Sequence, residues 1–119
     1  MIEKVNLAEK FARFDDHWSP KIAAELNGQQ VKLVKVQGEF VWHHHEHQDE
    51  LFLVVKGRLV IRLRDGDLAL DEGEFAVIPR GVEHMPVAEE EVHLLLLEPA
   101  GTRNTGNVEN ERTAGEAYV

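Results

Sequence analysis

The sequence contains no cysteine. Disulfide bonds and thiolate zinc sites are therefore excluded, and any bound metal must be held by imidazole or carboxylate groups. No apolar run approaches the roughly 18 residues of a membrane-spanning helix, and none looks like the core of a secretory signal peptide. These absences predict a soluble cytoplasmic protein with no membrane partner.

Positive charge is also scarce. The 13 Lys and Arg residues face 22 Asp and Glu residues, which leaves a formal net charge of -9. Such a chain repels phosphate backbones, so nucleic acid is not expected as a partner. With 119 residues, the chain is expected to form a single domain over 1–119, small enough for self-association to add useful burial.

Short apolar runs, each closed by Gly, Pro or Asp, fill residues 20–99 and predict an all-β fold with a closed or sandwiched antiparallel sheet. Asn27-Gly28 and Asp65-Gly66 are typical hairpin turns. Pro79-Arg80-Gly81 fits a type I turn with Pro second and Gly fourth, which would end a strand at Ile78.

The two ends of the chain differ from this strand pattern. Near the N-terminus, Asn6 is a possible cap for a short helix that reaches Phe14. Residues 100–119 are polar and glycine-rich without periodicity, and they are expected to form an extended or partly mobile tail.

Residues 40–52 read FVWHHHEHQDELF and place four histidines and three acids between two strand-like runs. Alternate side chains of a strand share a face, so His43 and His45 should point one way while Trp42 and His44 point the other. Two imidazoles at this spacing can hold one ion, and Glu50 at the start of the next strand could reach it. A fourth ligand would come from farther along: His84 is the best candidate, and His93 is the second choice.

Other interpretations of this cluster compete with a metal site. A helix would pair His43 with His47, but strand-forming residues on both sides argue against it. HEHQD also lacks the second His of the HExxH zinc motif. A solvated histidine-rich loop without a metal is the remaining alternative, because imidazole is also a common surface group.

The spacing of these groups resembles the two motifs of the cupin superfamily, G(X)5HXH(X)3-4E(X)6G and G(X)5PXG(X)2H(X)3N. Here residues 38–57 read GEFVWHHHEHQDELFLVVKG, and residues 73–88 read GEFAVIPRGVEHMPVA. The chain departs from the motifs twice. Only four residues separate Gly38 from His43, and Ala88 stands where the second motif ends in Asn. Neither departure removes a ligand.

The resemblance implies an antiparallel jelly-roll β-barrel around one divalent transition metal. The same resemblance implies that the metal ligands are His43, His45, Glu50 and His84. Imidazole and carboxylate suit Fe, Mn, Ni, Co, Cu or Zn and do not choose among them. Four protein ligands on a six-coordinate ion leave two positions for a small molecule.

Cupins include dioxygenases, sugar isomerases and domains that only bind small molecules, so the fold does not decide the function. We expect a metal-dependent enzyme that acts on a small oxygen-rich substrate, either dioxygenase-like or sugar-isomerase-like. The alternatives are a non-catalytic small-molecule-binding or sensing module and, with less weight, a metal-stabilised scaffold. No His, Tyr or Lys stands out as an inward-facing base.

Two surface features complete the expectations. Arg58, Arg62 and Arg64 share one strand face and could bind an anionic substrate, although such charges are more often solvated or lie at a dimer edge. A homodimer is expected because apolar outward-facing residues need a cover; these are Leu51, Leu53 and Val55.

Overall fold

The computed structural model describes residues 2–119, and antiparallel strands dominate it. A short helix, α1, precedes seven strands, which confirms the all-β prediction with an N-terminal helix. The elements are α1 (Leu7–Phe11), β1 (Lys21–Leu26), β2 (Gln29–Glu39), β3 (Glu50–Lys56), β4 (Leu59–Leu63), β5 (Gly66–Leu70), β6 (Phe75–Ile78) and β7 (His84–Pro99).

The long strand β7 organises the sheet. One edge of β7 pairs with β2, and the other edge pairs first with β4 and then with β3. The strand order is β1-β2-β7-β3-β6, with the β4–β5 hairpin joined to β7. Because β7 reaches two sets of partners along one edge, the sheet curls into the predicted barrel.

Buried and more exposed residues alternate along the strands, and the buried ones face the barrel interior. In β3, Glu50, Phe52 and Val54 are buried, as predicted, and the residues between them face outward. The apolar core also contains side chains from β2, β4, β5, β6 and β7, together with Trp18. Buried polar side chains also lie in the interior, among them Glu50 at the start of β3 and His84 at the start of β7.

The Asn27-Gly28 turn is confirmed, whereas the other two predicted turns are each displaced by one residue. The β4–β5 hairpin turns at Arg64-Asp65 and not at Asp65-Gly66, because Leu63 pairs with Gly66. Asn27 and Gly28 have φ values of 49° and 77°, as a two-residue hairpin turn requires. Strand β6 ends at Ile78 as predicted, but the Val82 N–H donates to the Pro79 carbonyl at 3.2 Å. Pro79 is therefore the first residue of the turn, and Gly81, with a φ of 82°, is the third. A positive φ at the third position is typical of a type II turn, so the predicted type I turn is wrong by one residue.

The helix is shorter than predicted. It covers Leu7–Phe11 and ends before Phe14, although the Asn6 side chain caps it by accepting from the Glu9 N–H at 3.0 Å. No helix within residues 2–119 combines the length and the apolar character needed to cross a membrane.

The C-terminal residues, predicted to be extended or partly mobile, instead form successive turns that fold back on the barrel. The Ile22 N–H donates to the Ala117 carbonyl at 2.7 Å, and the Val119 N–H donates to the Ile22 carbonyl at 3.0 Å. Thr105 is fully buried. The segment therefore belongs to the folded body.

Candidate metal centre

Four side chains singled out in the sequence meet inside the barrel. Ligand-type atoms of His43, His45, Glu50 and His84 all lie within 4.8 Å of one another. None of the four residues is more than 4% exposed. The structure therefore brings together a group that could hold a metal ion.

The backbone pairing of His43 differs from the sequence prediction. Strand β2 ends at Glu39, and a regular strand through residues 40–45 is not formed. Instead, His43 makes an isolated antiparallel bridge with His84, with N–H to carbonyl distances of 3.0 and 2.9 Å. The predicted facing still holds: His43 and His45 are buried, while the side chain of His44 points outward and is 26% exposed.

Hydrogen bonds identify which ring nitrogen donates in two imidazoles. The Nδ1 of His43 lies 2.9 Å from the Val41 carbonyl oxygen, and the Nδ1 of His84 lies 2.9 Å from that of Val82. A carbonyl can only accept, so each Nδ1 carries the proton and donates it. In the neutral ring this tautomer leaves the lone pair on Nε2, which is the arrangement expected of a metal ligand.

Three buried polar atoms at this centre have no hydrogen-bond partner: His45 Nε2, His84 Nε2 and Glu50 Oε1. The Glu50 oxygen lies 3.3 Å from the first nitrogen and 3.6 Å from the second. Unpaired buried polar atoms are rare and costly. A cation between them would satisfy all three, so the residues present fit a divalent metal.

Burial and neighbouring side chains shift the pKa values of His43 and Glu50. Burial, together with the neighbouring His84, lowers the pKa of His43 to about 4. Burial alone would raise the pKa of Glu50, but the imidazoles of His45 and His84 hold it well below its usual value. A neutral imidazole and an ionised carboxylate are the forms that bind a metal.

Sequence reasoning missed a buried ion pair beside this centre. Lys32 Nζ donates to Glu98 Oε1 at 2.9 Å and to the Thr102 carbonyl at 3.3 Å. Burial and the nearby Glu50 carboxylate hold the pKa of Glu98 well above its usual range, against the opposing effect of Lys32. The signal was available, because Lys32 and Glu98 occupy inward-facing positions in the alternation of β2 and β7.

An apolar cavity adjoins the centre on the side of His43 and Glu50. The cavity has a volume of about 30 Å³. Asn104 lines it, but its amide already donates to two backbone carbonyls and accepts from the Ala114 N–H. No Lys or Arg of the described chain lines this cavity, whose apolar wall includes Trp18, Phe40, Phe52, Leu94 and Leu96.

The remaining histidine candidates lie outside the group. His47 has a side chain 84% exposed. The Nε2 of His93 lies 3.1 Å from a Glu91 carboxylate oxygen, and its ring stacks on Phe11 with centroids 4.5 Å apart. The structure therefore does not place His93 near the proposed ion.

The arginine face lies on the outer surface and does not reach the cavity. Each of the three side chains is at least 48% exposed and has a carboxylate oxygen within 3.9 Å. Arg64 also stacks on the Trp42 ring, 3.7 Å from its centroid. A solvated role fits this face better than anion binding at the centre. The pairs are Arg58 with Asp71, Arg62 with Asp67, and Arg64 with Glu83.

Comparisons with known proteins agree with this architecture. A family model described as a cupin domain matches residues 30–98. A cupin-2 domain-containing protein from Shewanella frigidimarina NCIMB 400 is similar in structure, with a TM-score of 0.79 and 52% identity over 80% of this chain and 93% of that one. Protein NMB1881 from Neisseria meningitidis gives a TM-score of 0.75 and 34% identity over 82% of this chain and 100% of that one.

Among curated proteins, the uncharacterized protein YdbB of Bacillus subtilis (strain 168) is 40% identical over 62 residues. That match covers 51% of this chain and 55% of the relative, so the chain spans about half the length of the curated relative it matches.

Proposed function

Since the chain belongs to the cupin family, we propose that it is a metal-binding cupin in which His43, His45, Glu50 and His84 hold one divalent transition metal. The observation that carries the proposal is that three buried atoms able to bind a metal have no hydrogen-bond partner. The donor set suits Fe, Mn, Ni, Co, Cu or Zn. Elemental analysis after refilling metal-free protein with each ion tests the proposal, and about one ion per chain is expected.

The proposal extends to a metal-dependent enzyme that acts on a small oxygen-rich substrate. When bound, the ion would supply a Lewis acid and a template for two substrate oxygens. His43 and Glu50 line the cavity, so a substrate held there would turn its oxygen atoms toward the ion that these residues would hold. Its carbon skeleton would then lie against apolar side chains such as Phe52 and Leu96. The same apolar wall would exclude bulk water from the oxygen-bearing end.

The cavity wall favours a dioxygenase-like substrate over a sugar phosphate. A phosphate needs a cationic or amide-rich partner, and a row of hydroxyls needs hydrogen-bonding groups along the wall. The described lining offers neither, because it has no Lys or Arg and the Asn104 amide is already paired. We therefore place dioxygenase-like compounds with two adjacent oxygens on a compact apolar body ahead of sugars, and the cavity of about 30 Å³ would have to widen to admit a body as large as a catechol.

One observation keeps a second candidate function open. Apart from the proposed ligands, no residue lining the cavity in the described chain offers a free general base. A non-catalytic small-molecule-binding or sensing cupin would need none. Reactions that require a dedicated base are therefore less favoured than binding alone.

Oxygen uptake and ligand binding together separate the two functions. Protein loaded in turn with each candidate metal is mixed with a catechol, a β-diketone and mannose 6-phosphate. Dioxygen consumption or a new product with at least one metal supports the enzyme. Saturable binding without turnover for every metal supports the sensing module and contradicts the enzyme.

We also propose that the chain forms a homodimer through the outer face of the sheet. Apolar side chains from four neighbouring strands lie opposite one another there. Phe75 is 63% exposed and Val77 is 51% exposed. Contiguous apolar surface of this kind usually serves protein contacts. These side chains form two rows across the strands. The first row is Val31, Leu97, Leu51 and Val77, and the second row is Leu95, Leu53 and Phe75.

A further inference from the structure

A residue from the C-terminal segment holds the middle of the histidine loop. The Asn107 N–H donates to the His44 carbonyl at 3.0 Å, and the Asn107 side-chain oxygen accepts from the His44 N–H at 2.9 Å. Both backbone polar groups of His44 are thus bound by one residue, 63 positions later in the chain. His44 lies between the proposed ligands His43 and His45, so these bonds fix the peptide units that carry them.

The neighbouring Gly106 packs directly on the same peptide. A Cβ atom at this position would overlap the His44 carbonyl and would lie 3.1 Å from Cδ2 of the His43 ring. Gly106 also has a φ of 57°, a conformation that glycine adopts without strain. The segment therefore approaches the loop more closely than any side chain on residue 106 would allow.

The segment is itself anchored to the rest of the molecule. The Asn104 amide donates to the Trp18 carbonyl at 3.1 Å and to the Arg112 carbonyl at 2.8 Å. The hydroxyl oxygens of the buried Thr105 and of Thr113 lie 2.7 Å apart. A segment held in this way can act as a fixed support for the loop.

The histidine loop needs such a support because little else holds it. His43 has only an isolated bridge with His84, and the His45 carbonyl accepts one hydrogen bond, from the Gly81 N–H at 2.8 Å. No regular strand pairing fixes residues 43–48. Ligand geometry must be held within about 0.5 Å for a site to work well, so a loose peptide at His44 would misplace both imidazoles.

We propose that residues 104–107, here called the C-terminal clamp, position His43 and His45 and set how tightly the metal is held. The inference rests on the proposed metal site, and it concerns residues outside the matched cupin domain, which ends at residue 98. In this role Asn107 is a positioning residue. It touches neither the ion nor a substrate.

Point variants of Asn107 test the clamp. Asn107→Ala removes the acceptor for the His44 N–H, whereas Asn107→Asp keeps an oxygen in its place. Asn110→Ala is the matched control, because its side chain accepts only from the Arg112 N–H at 2.8 Å within the same segment. Metal affinity is measured by chelator competition with Zn(II), and ligand geometry by the visible absorption of the Co(II) form. All variants are compared below their unfolding temperatures.

Asn107→Ala should weaken metal affinity by about 10- to 100-fold, the usual effect of losing a group that orients a ligand, and should change the Co(II) spectrum. Asn107→Asp and Asn110→Ala should keep both properties near those of the wild type. Wild-type affinity and spectrum in Asn107→Ala would overturn the clamp, as would an Asn107→Asp variant as weak as Asn107→Ala.

If Asn107→Ala does not fold, Gly106→Ala carries the same test. Gly115→Ala is then its control, because an added Cβ there would meet nothing within 4 Å. Unchanged affinity in Gly106→Ala would overturn the clamp. A wild-type protein that retains no metal overturns the proposed function and the clamp together, whereas a metal-binding wild type with unaffected variants overturns the clamp alone.

Discussion

At the scale of single residues, burial gives the folded protein a histidine that resists protonation. The pKa of His43 is lowered from 6.5 to about 4, mainly because burial disfavours the charged form. Between these two values the unfolded chain binds a proton that the folded chain does not bind. The free energy of unfolding must therefore rise with pH across this range and fall as the pH drops.

The consequence can be measured on metal-free protein. Between pH 7 and pH 5, His43 should remove about 2 kcal/mol from the free energy of unfolding, since one pKa unit corresponds to roughly 1.4 kcal/mol. Urea unfolding in the presence of a chelator measures this loss. The variant His43→Gln cannot titrate, so its stability should depend less on pH. Equal pH dependence in both proteins would contradict the assigned burial.

At the scale of secondary-structure elements, strand alternation and turn chemistry made most of the fold predictable. The two-residue alternation of a strand predicted that the side chains of His43, His45 and Glu50 face the barrel interior. This prediction is confirmed even though residues 40–45 form only one β-bridge. The structure of residues 100–119 was not predictable in this way. Its hydrogen bonds join residues far apart in sequence, such as Asn107 and His44, and leave no local period.

The two departures from the cupin motifs turn out to be neighbours. Gly38 and Ala88 are cross-strand partners in β2 and β7, beside a register shift between Val36 and Gly38. Ala88 is fully buried. An amide there would need a hydrogen-bond partner to offset its burial. The sequence showed both departures, but only the strand register shows that Gly38 and Ala88 lie side by side.

The turn between β3 and β4 gives an element-scale prediction. Gly57 has a φ of 94°, and an added Cβ would lie 3.1 Å from Cγ2 of Val92 and 3.2 Å from the Glu91 carbonyl oxygen. Gly57→Ala should therefore lower the free energy of unfolding by about 1–3 kcal/mol. Chemical denaturation measures the change. Gly115→Ala serves as the control and should stay within about 0.5 kcal/mol of the wild type. Equal stability of the two variants would refute the strain argument.

At the scale of the whole molecule, the exposed rows on the outer sheet predict self-association. Light scattering should give twice the chain mass of 13.5 kDa at micromolar concentration. Val77→Lys places a charge in the first row and should shift the mass to that of a monomer. Tyr118→Lys alters a residue that is 68% exposed outside these rows and should leave the mass unchanged. A wild-type monomer would refute the proposed dimer.

The central claim is that one ion is held by the four buried side chains, and metal content per chain tests it most directly. Metal-free wild type and single alanine variants are refilled under one protocol and analysed for bound metal. We expect about one ion per chain in the wild type, His44→Ala and His47→Ala, and the loss of most of it in His43→Ala, His45→Ala and His84→Ala. If His44→Ala loses the ion while His43→Ala keeps it, the ligand assignment is contradicted.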